Sequence, residues 1–350
     1  MSPAVDQAEE CRRRLCTSVE KVSNQTDPKR CAIILSGGVD TCAILEAASS
    51  LHMEFAVAIT VVIGNDSPDE AFATHAASQH GIEHHIVRMT ADDLVQDYLP
   101  RTVKLLQTFD GMTLRNSLVI SAAFQEAKRL GMDDVVVGDG ADELFGGYSF
   151  MWGSADDLAL WKEKRDGMCK KWTFATPKLA SSYGIRAHGP FMDDDFVAWA
   201  LTTNRGDCIG ERPIKLILDG ESIMHAVGKV VLREAFETCA SWRRKDPIEV
   251  GSGATIIGKD EYWVDQLSDE EYTKAKDEFK DQGLIVQSKE HMINLRSYLE
   301  VFGGLVHPEK ERMPLGEGCA GCCFDVGEEN FCHICGAWPA QRSKIQIQIN

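Results

Sequence analysis

Long apolar runs are missing from this 350-residue sequence, and its N-terminus, MSPAVDQAEECRRRLC, lacks an apolar core. Such a pattern predicts neither a bilayer-spanning helix nor a secretory leader. Basic residues are scarce beside acidic ones: 37 Lys and Arg against 54 Asp and Glu, a net charge of −17. That balance excludes a broad nucleic-acid or membrane-binding face, though not a local basic pocket for a nucleotide. No internal repeat is visible. The expectation is a soluble, cytoplasmic protein whose twelve cysteines are reduced thiols or metal ligands rather than disulfides. No membrane and no nucleic acid is expected as a partner.

What is present first is alternation. Strand-like runs at 31–35, 55–63, 84–89 and 134–138 are separated by helical stretches near 39–51, 69–80, 93–108 and 115–130. This predicts an α/β fold with a doubly wound parallel sheet. From about residue 153 the strand signal fades, and DDLALWKEKRDGM, DDDFVAWALTT, SIMHAVGKVVLREAFETCA and SDEEYTKAKDEFK read as helices. The expected divisions are a polar helix and linker over 1–28, a nucleotide-binding domain over 29–152, a helical lobe over 153–304, and a Cys-rich knuckle with a polar, mobile tail over 305–350.

Two glycine-rich segments follow strands directly, where parallel sheets bind ligands. In IILSGGVDT (33–41), Ser36 and the N–H groups of Gly37 and Gly38 can face an anion at a helix N-terminus. The segment has no Gly-Lys-Ser/Thr ending and carries Asp40 instead. A carboxylate fits there if a divalent metal lies between it and phosphates, as Mg²⁺ does. In VVVGDGADELFGGY, Asp139, Asp142 and Glu143 crowd a strand end, where like charges repel unless a cation is shared. Asp40 and Asp142 are therefore candidate ligands of one Mg²⁺; Glu143 reads as a helix-start acid.

SGGVDT followed by GDGADELFGGY resembles the synthetase domain of the glutamine-hydrolysing asparagine synthetases, PP-loop ATP pyrophosphatases with Ser-Gly-Gly-x-Asp-Ser and Gly-Glu-Gly-x-Asp-Glu-x-Phe-Gly-Gly-Tyr. TLRNSLVISAAFQEAKRLG, GPFMDDDFVAWAL, GKVVLREAFE, WRRKDPIEVGSG and SKEHMINLRSYLEVFGG continue the likeness in order over about residues 31–304. The resemblance implies an adenine-nucleotide α-hydrolase-like sheet with a helical lobe. It implies ATP and Mg²⁺, a small-molecule carboxylate (aspartate by family default) activated as an acyl adenylate with release of pyrophosphate, and attack by ammonia or an amine. Ser36, Gly37, Gly38 and Thr41 match the pyrophosphate loop. Gly138 and Gly140 belong to the second motif, and backbone at Leu35, Val61 and Ile63 would line the adenine pocket. Lys245 matches a lysine that neutralises charge on the phosphates, and Arg115 is placed to do likewise; from the residues alone, Lys245 is one of a basic run, Arg243-Arg244-Lys245.

Three departures stand out. The family's Gly-Glu-Gly is Gly138-Asp139-Gly140, which makes Asp139 the candidate for handling the amine. The family's Glu-x-Arg is Arg186-Ala187-His188. No Cys follows Met1, so the expectation is that this chain draws ammonia from solution or from a separate ammonia-supplying protein.

CAGCCFDVGEENFCHIC holds Cys319-x-x-Cys322 and, nine residues on, Cys332-x-x-Cys335. This spacing suits structural Zn²⁺, with Cys323 or His333 as substitute ligands and free thiols or an iron–sulfur site as alternatives. It is similar to the zinc knuckle of PP-loop tRNA thiolases, so a tRNA-modifying or sulfur-transfer enzyme is the competing reading. A non-catalytic nucleotide-binding scaffold is the second alternative. His75, His80, His84 and His85 are spaced unevenly and read as ordinary histidines, Cys42 as a small buried thiol, and 268–281 as a solvated helix.

Overall fold

The computed structural model describes residues 6–153 and 158–342; the predicted mobile tail falls largely outside them. Contacts divide the chain into two units. The first gathers the chain up to Val62, Asp66–Arg88 and Ala123–Ser252; the second gathers Ile63–Asn65, Met89–Ala122 and the chain from Gly253 onward.

The five-stranded sheet comprises β1 (Cys31–Ile34), β2 (Val57–Ile63), β3 (His84–Met89), β4 (Asp134–Val136) and β5 (Arg186–His188), in the order β3-β2-β1-β4-β5. All seven residues of β2, VAITVVI, are buried. A continuous β-branched run covered on both faces is how a central parallel strand reads. The pairs β1–β2, β1–β4 and β4–β5 are parallel, with Ile33 opposite both Ala58 and Val136. The helices Val39–Ser50 and Pro68–Gln79 connect the first three strands. Strand order runs outward from β1 to β3, then resumes on the other side of β1 with β4. The reversal between β1 and β4 makes that carboxyl edge the expected ligand crevice. The segments Ser36–Thr41 and Gly138–Asp142 leave these two strands.

The N-terminal helix, Gln7–Ser23, is less polar than it reads. Asp6 caps it, and Cys11, Leu15, Ser18, Val19 and Val22 form a buried face at helical spacing. Beyond residue 153 the expectation of helices and loops needs correcting at three places. Residues 186–188 form β5, and Gly210–Lys215 and Ser222–Val227 form an antiparallel hairpin, β6 and β7. SIMHAV is thus a strand, and the helix in that stretch is only Val230–Ala235. Asp219-Gly220 between two apolar runs is a hairpin signal. It was hidden because VVLREAF downstream carries a helical period.

In the second unit, helix Ala91–Leu106 packs on helix Lys289–Phe302. Phe109 lies between His291, stacked at 5.3 Å, and Tyr298, edge-on at 5.2 Å. Helix Asp269–Asp281 buries no residue, as its charge pattern predicts. Among the described residues no helix is long and apolar enough to cross a membrane.

Candidate functional site

The glycine loop after β1 is built to be tight. Gly37 has φ +64°, and a Cβ there would fall 2.5 Å from the Ala73 nitrogen, so only glycine fits. Ser36 Oγ accepts from Gly38 N–H at 3.3 Å, and Thr41 Oγ1 lies 3.5 Å from both Ser36 Oγ and the Gly38 carbonyl. Gly38 caps helix Val39–Ser50 without a side-chain bond, and the N–H groups of such a first turn are the kind an anion accepts from. Arg243 braces the loop from behind. Its guanidinium donates to the Ser36 and Gly37 carbonyls at 3.1 and 2.9 Å, pairs with Asp69 at 2.6 Å, and rests 4.5 Å above the Phe72 ring. Burial pushes the Asp69 carboxyl up to about 6, with Arg243 opposing.

The second segment meets the first through Gly138. A Cβ there would stand 3.1 Å from Asp40 Cβ and 3.2 Å from Thr41 Cγ2. Gly140, at φ +100°, then turns the chain into the short helix Ala141–Phe145. Asp142 reaches the same point as Asp40, and the two carboxylates converge on one cation, Lys229. The Lys229 ammonium lies 2.8 and 2.7 Å from the two Asp40 oxygens and 2.8 Å from Asp142 Oδ1. Lys245 approaches Asp142 Oδ2 at 3.6 Å and the Tyr148 ring at 5.7 Å.

The approach of Lys229 depends on absent side chains. A Cβ on Gly228 would strike the Gly146 carbonyl at 1.9 Å, and one on Gly147 would strike Asp142 Oδ1 at 1.8 Å. Lys229 takes the left-handed conformation, φ +60°, and donates its own N–H to the Phe145 carbonyl at 2.8 Å. Burial works to lower its ammonium, but the two acids outweigh it and hold it above its ordinary range. Burial pushes Asp40 up; on Asp142 burial is outweighed by Lys229 and Lys245, which hold it down. Hard oxygen donors from two strand ends that already share a cation are the donor set Mg²⁺ takes.

Asp139 is half-buried beside this pair. Burial pushes its carboxyl up, against a hydrogen bond from Thr176. Its Oδ2 has no hydrogen-bond partner among the described residues. Glu143 starts the short helix as expected and also accepts from the Tyr148 hydroxyl at 2.6 Å. Leu35, Val61 and Ile63 are buried, and the Leu35 carbonyl accepts from Thr60 Oγ1 at 2.5 Å. Arg186 and His188 both bind buried Asp134, at 2.7 Å each.

Arg115 lies in the second unit, where it grips buried Glu290 through two bonds of 2.9 and 2.8 Å. That unit also brings Cys319, Cys322, Cys332 and Cys335 together. Cys323 and His333 stand apart: Cys323 Sγ faces the Gly283 carbonyl, and His333 is exposed near Glu329. The predicted ordinary histidines are engaged separately: His84 by Thr60, His85 by Glu83 and Glu126, His80 by Glu46.

Sequence reading put Lys229 and Arg233 in the family likeness without giving either a role, and it missed Thr176. GKVVLREAFE shows only a lysine before an apolar run, which is ordinary. Arg233, buried, ties the Gly228 carbonyl to those of Ser241 and Arg243.

Residues 10–165 match the asparagine synthase family. Among curated proteins, the chain is 26% identical over 276 residues to a probable glutamine-hydrolysing asparagine synthetase of Dictyostelium discoideum, covering 71% of this chain and 48% of that one. It is 26% identical over 272 residues to the glutamine-hydrolysing asparagine synthetase B of Escherichia coli, covering 71% and 46%. The chain thus spans about half the length of these relatives. Among solved structures, an NH3-dependent NAD synthetase of Campylobacter jejuni matches 56% of this chain and 78% of its own, at 16% identity and a TM-score of 0.31. With the paired motifs after β1 and β4 and the sequence match, the chain resembles the synthetase domain of the asparagine synthetases.

Proposed function

We propose that the chain is an ATP-dependent, AMP- and pyrophosphate-forming amide synthetase of the asparagine synthetase type. The observation that carries this reading is the convergence of Asp40 and Asp142, from the ends of β1 and β4, on one cation beside a glycine loop. A substrate carboxylate oxygen attacks the α-phosphorus of ATP; the bond to the bridging oxygen breaks and pyrophosphate leaves. Ammonia or an amine then attacks the acyl carbon, and AMP departs with the bonding pair. The loop N–H groups bind phosphate oxygens, and Lys245 and Lys229 oppose the negative charge that collects on the leaving group. Asp40 and Asp142 would hold Mg²⁺, which when bound neutralises phosphate charge. The amine must shed a proton as it bonds. We assign that proton to Asp139, half-buried, whose Oδ2 has no hydrogen-bond partner among the described residues. Aspartate is the carboxylate the family likeness suggests.

The test is a product analysis with ATP, Mg²⁺, ammonium and a panel of carboxylates. AMP and pyrophosphate in equal amounts are expected. Asp40→Asn should lower turnover by at least a hundredfold while the protein stays folded, because it removes a full charge from the cation site. ADP and orthophosphate as products would sink the reading. Asp139→Asn should slow amide formation more than ATP–pyrophosphate exchange.

A further inference from the structure

The four clustered cysteines of the second unit play no part in that chemistry, yet their arrangement is regular. All four are buried, with their sulfurs within 4.8 Å of one another. Cys319 and Cys335 are 3.6 Å apart, and Cys322 and Cys332 are 3.7 Å apart. Thiolates about 2.3 Å from a tetrahedral Zn²⁺ lie about 3.8 Å from each other along every edge. Two edges have that length and every pair lies within 4.8 Å, a spacing that suits one mononuclear ion; a multi-iron core would wedge the sulfurs farther apart.

The backbone repeats itself around them. Cys319 N–H donates to the Phe324 carbonyl, and Cys332 N–H to that of Ala337, five residues on in each case. Cys323 N–H returns to the Cys319 carbonyl, and Gly336 N–H to that of Cys332. Cys323 and Gly336, at the same place in each turn, both take the left-handed conformation, φ +62° and +75°. Two matching knuckles thus present two sulfurs each. Gly321 N–H donates to Cys319 Sγ at 3.3 Å, the kind of outer bond that orients a thiolate ligand. A Cβ at Gly321 would press on Cys335 Sγ at 2.9 Å.

The second knuckle also holds a neighbour. The Ile334 carbonyl accepts from Phe109 N–H at 2.8 Å and from Thr108 Oγ1 at 3.0 Å. A Cβ on Gly336 would lie 2.1 Å from Asp110 Oδ1. Asp110 in turn accepts from Thr113 N–H and Oγ1 at 3.0 and 2.5 Å, capping the helix that carries Arg115.

We propose that Cys319, Cys322, Cys332 and Cys335 hold one zinc ion, and that the ion, through Ile334 and Gly336, fixes Thr108–Thr113 at the start of the Arg115 helix. Binding converts four thiols to thiolates and releases their protons. Full-length protein purified without chelator should carry about one zinc per chain by elemental analysis. Replacement by Co²⁺ should give the intense sulfur-to-cobalt absorption of a tetrahedral tetrathiolate. Removing the metal with a thiol-directed mercurial and a chelator should speed amide exchange at Phe109 and Thr113 at least tenfold, and adding zinc back should restore protection. Cys323→Ser should keep the metal and Cys335→Ser should lose it; if the latter fails to fold, the cobalt spectrum of the unmutated protein decides. Iron in place of zinc, no metal, or exchange at Phe109 indifferent to metal would overturn the proposal. None of these readouts depends on ligase turnover.

Discussion

Lys229 carries a charge into a place where water does not reach it; its side chain is 1% exposed. Removing one partner from a buried ionic cluster leaves the others uncompensated, at about 3–5 kcal/mol. Lys229→Met should therefore destabilise the protein by about that much in urea unfolding. Mg²⁺, binding the same carboxylates, should recover part of the loss; a variant as stable as the parent, or one blind to Mg²⁺, would rule out the shared-cation reading. The acids of this cluster were legible in the sequence because carboxylates after a strand and among glycines need an explanation. The lysine was not legible, because it stands 189 residues from Asp40 and nothing local announces the pairing. Asp139 was legible as one of three acids at a strand end and as a departure from the family pattern; its half-buried place and its unpartnered oxygen are properties of the fold.

At the scale of the element, glycine separates close approach from simple turn-making. Gly228 and Gly147 admit the Lys229 and Asp142 side chains. Gly167 sits within helix Leu158–Lys171 with open space where a Cβ would go. Gly167→Ala should stabilise by about 0.5–1 kcal/mol, since only helix propensity changes. Gly228→Ala should destabilise by about 1–3 kcal/mol or more, because backbone must move. Thermal denaturation of the two variants checks the contrast; equal effects would mean the approach at Gly228 is not tight. β1, β2 and β4, with buried apolar runs, were readable from pattern alone, and β3 from its HHIVRM run although none of its residues is buried. The three that were not readable are short or exposed: β5 has three residues, and β7 exposes four of its six. Strands as short as β5 or as exposed as β7 have little apolar period to display.

At the scale of the whole molecule, acid should act on the second contact unit through its buried ionisable groups. In the second unit burial holds His291 down at about 4, against its ordinary 6.5. Its Nδ1 accepts from Gln287 N–H at 3.2 Å, so the neutral ring is the one that fits. The unfolded chain takes up the proton below pH 6.5 and the folded ring only near 4. The stability tied to this group is therefore present above 6.5 and lost as pH falls through about 4, in all about 3 kcal/mol. Buried Glu290, whose carboxyl burial pushes up, acts in the opposite direction nearby. Comparison with His291→Gln isolates the histidine: the variant should lose less stability than the parent between pH 6.5 and 4. Parallel pH profiles would refute the assignment.

The contact at Gly138 has a consequence for how such a chain can drift. Its bare Cα faces the methyl of Thr41 and the Cβ of Asp40 across the gap between two strands. The two motifs lie about a hundred residues apart in the sequence, yet they share one small volume. A methyl gained at position 138 presses on Asp40, and the Thr41 methyl already takes up some of the room. A substitution at either position is thus judged by what the other holds, so the two motifs act sterically as one.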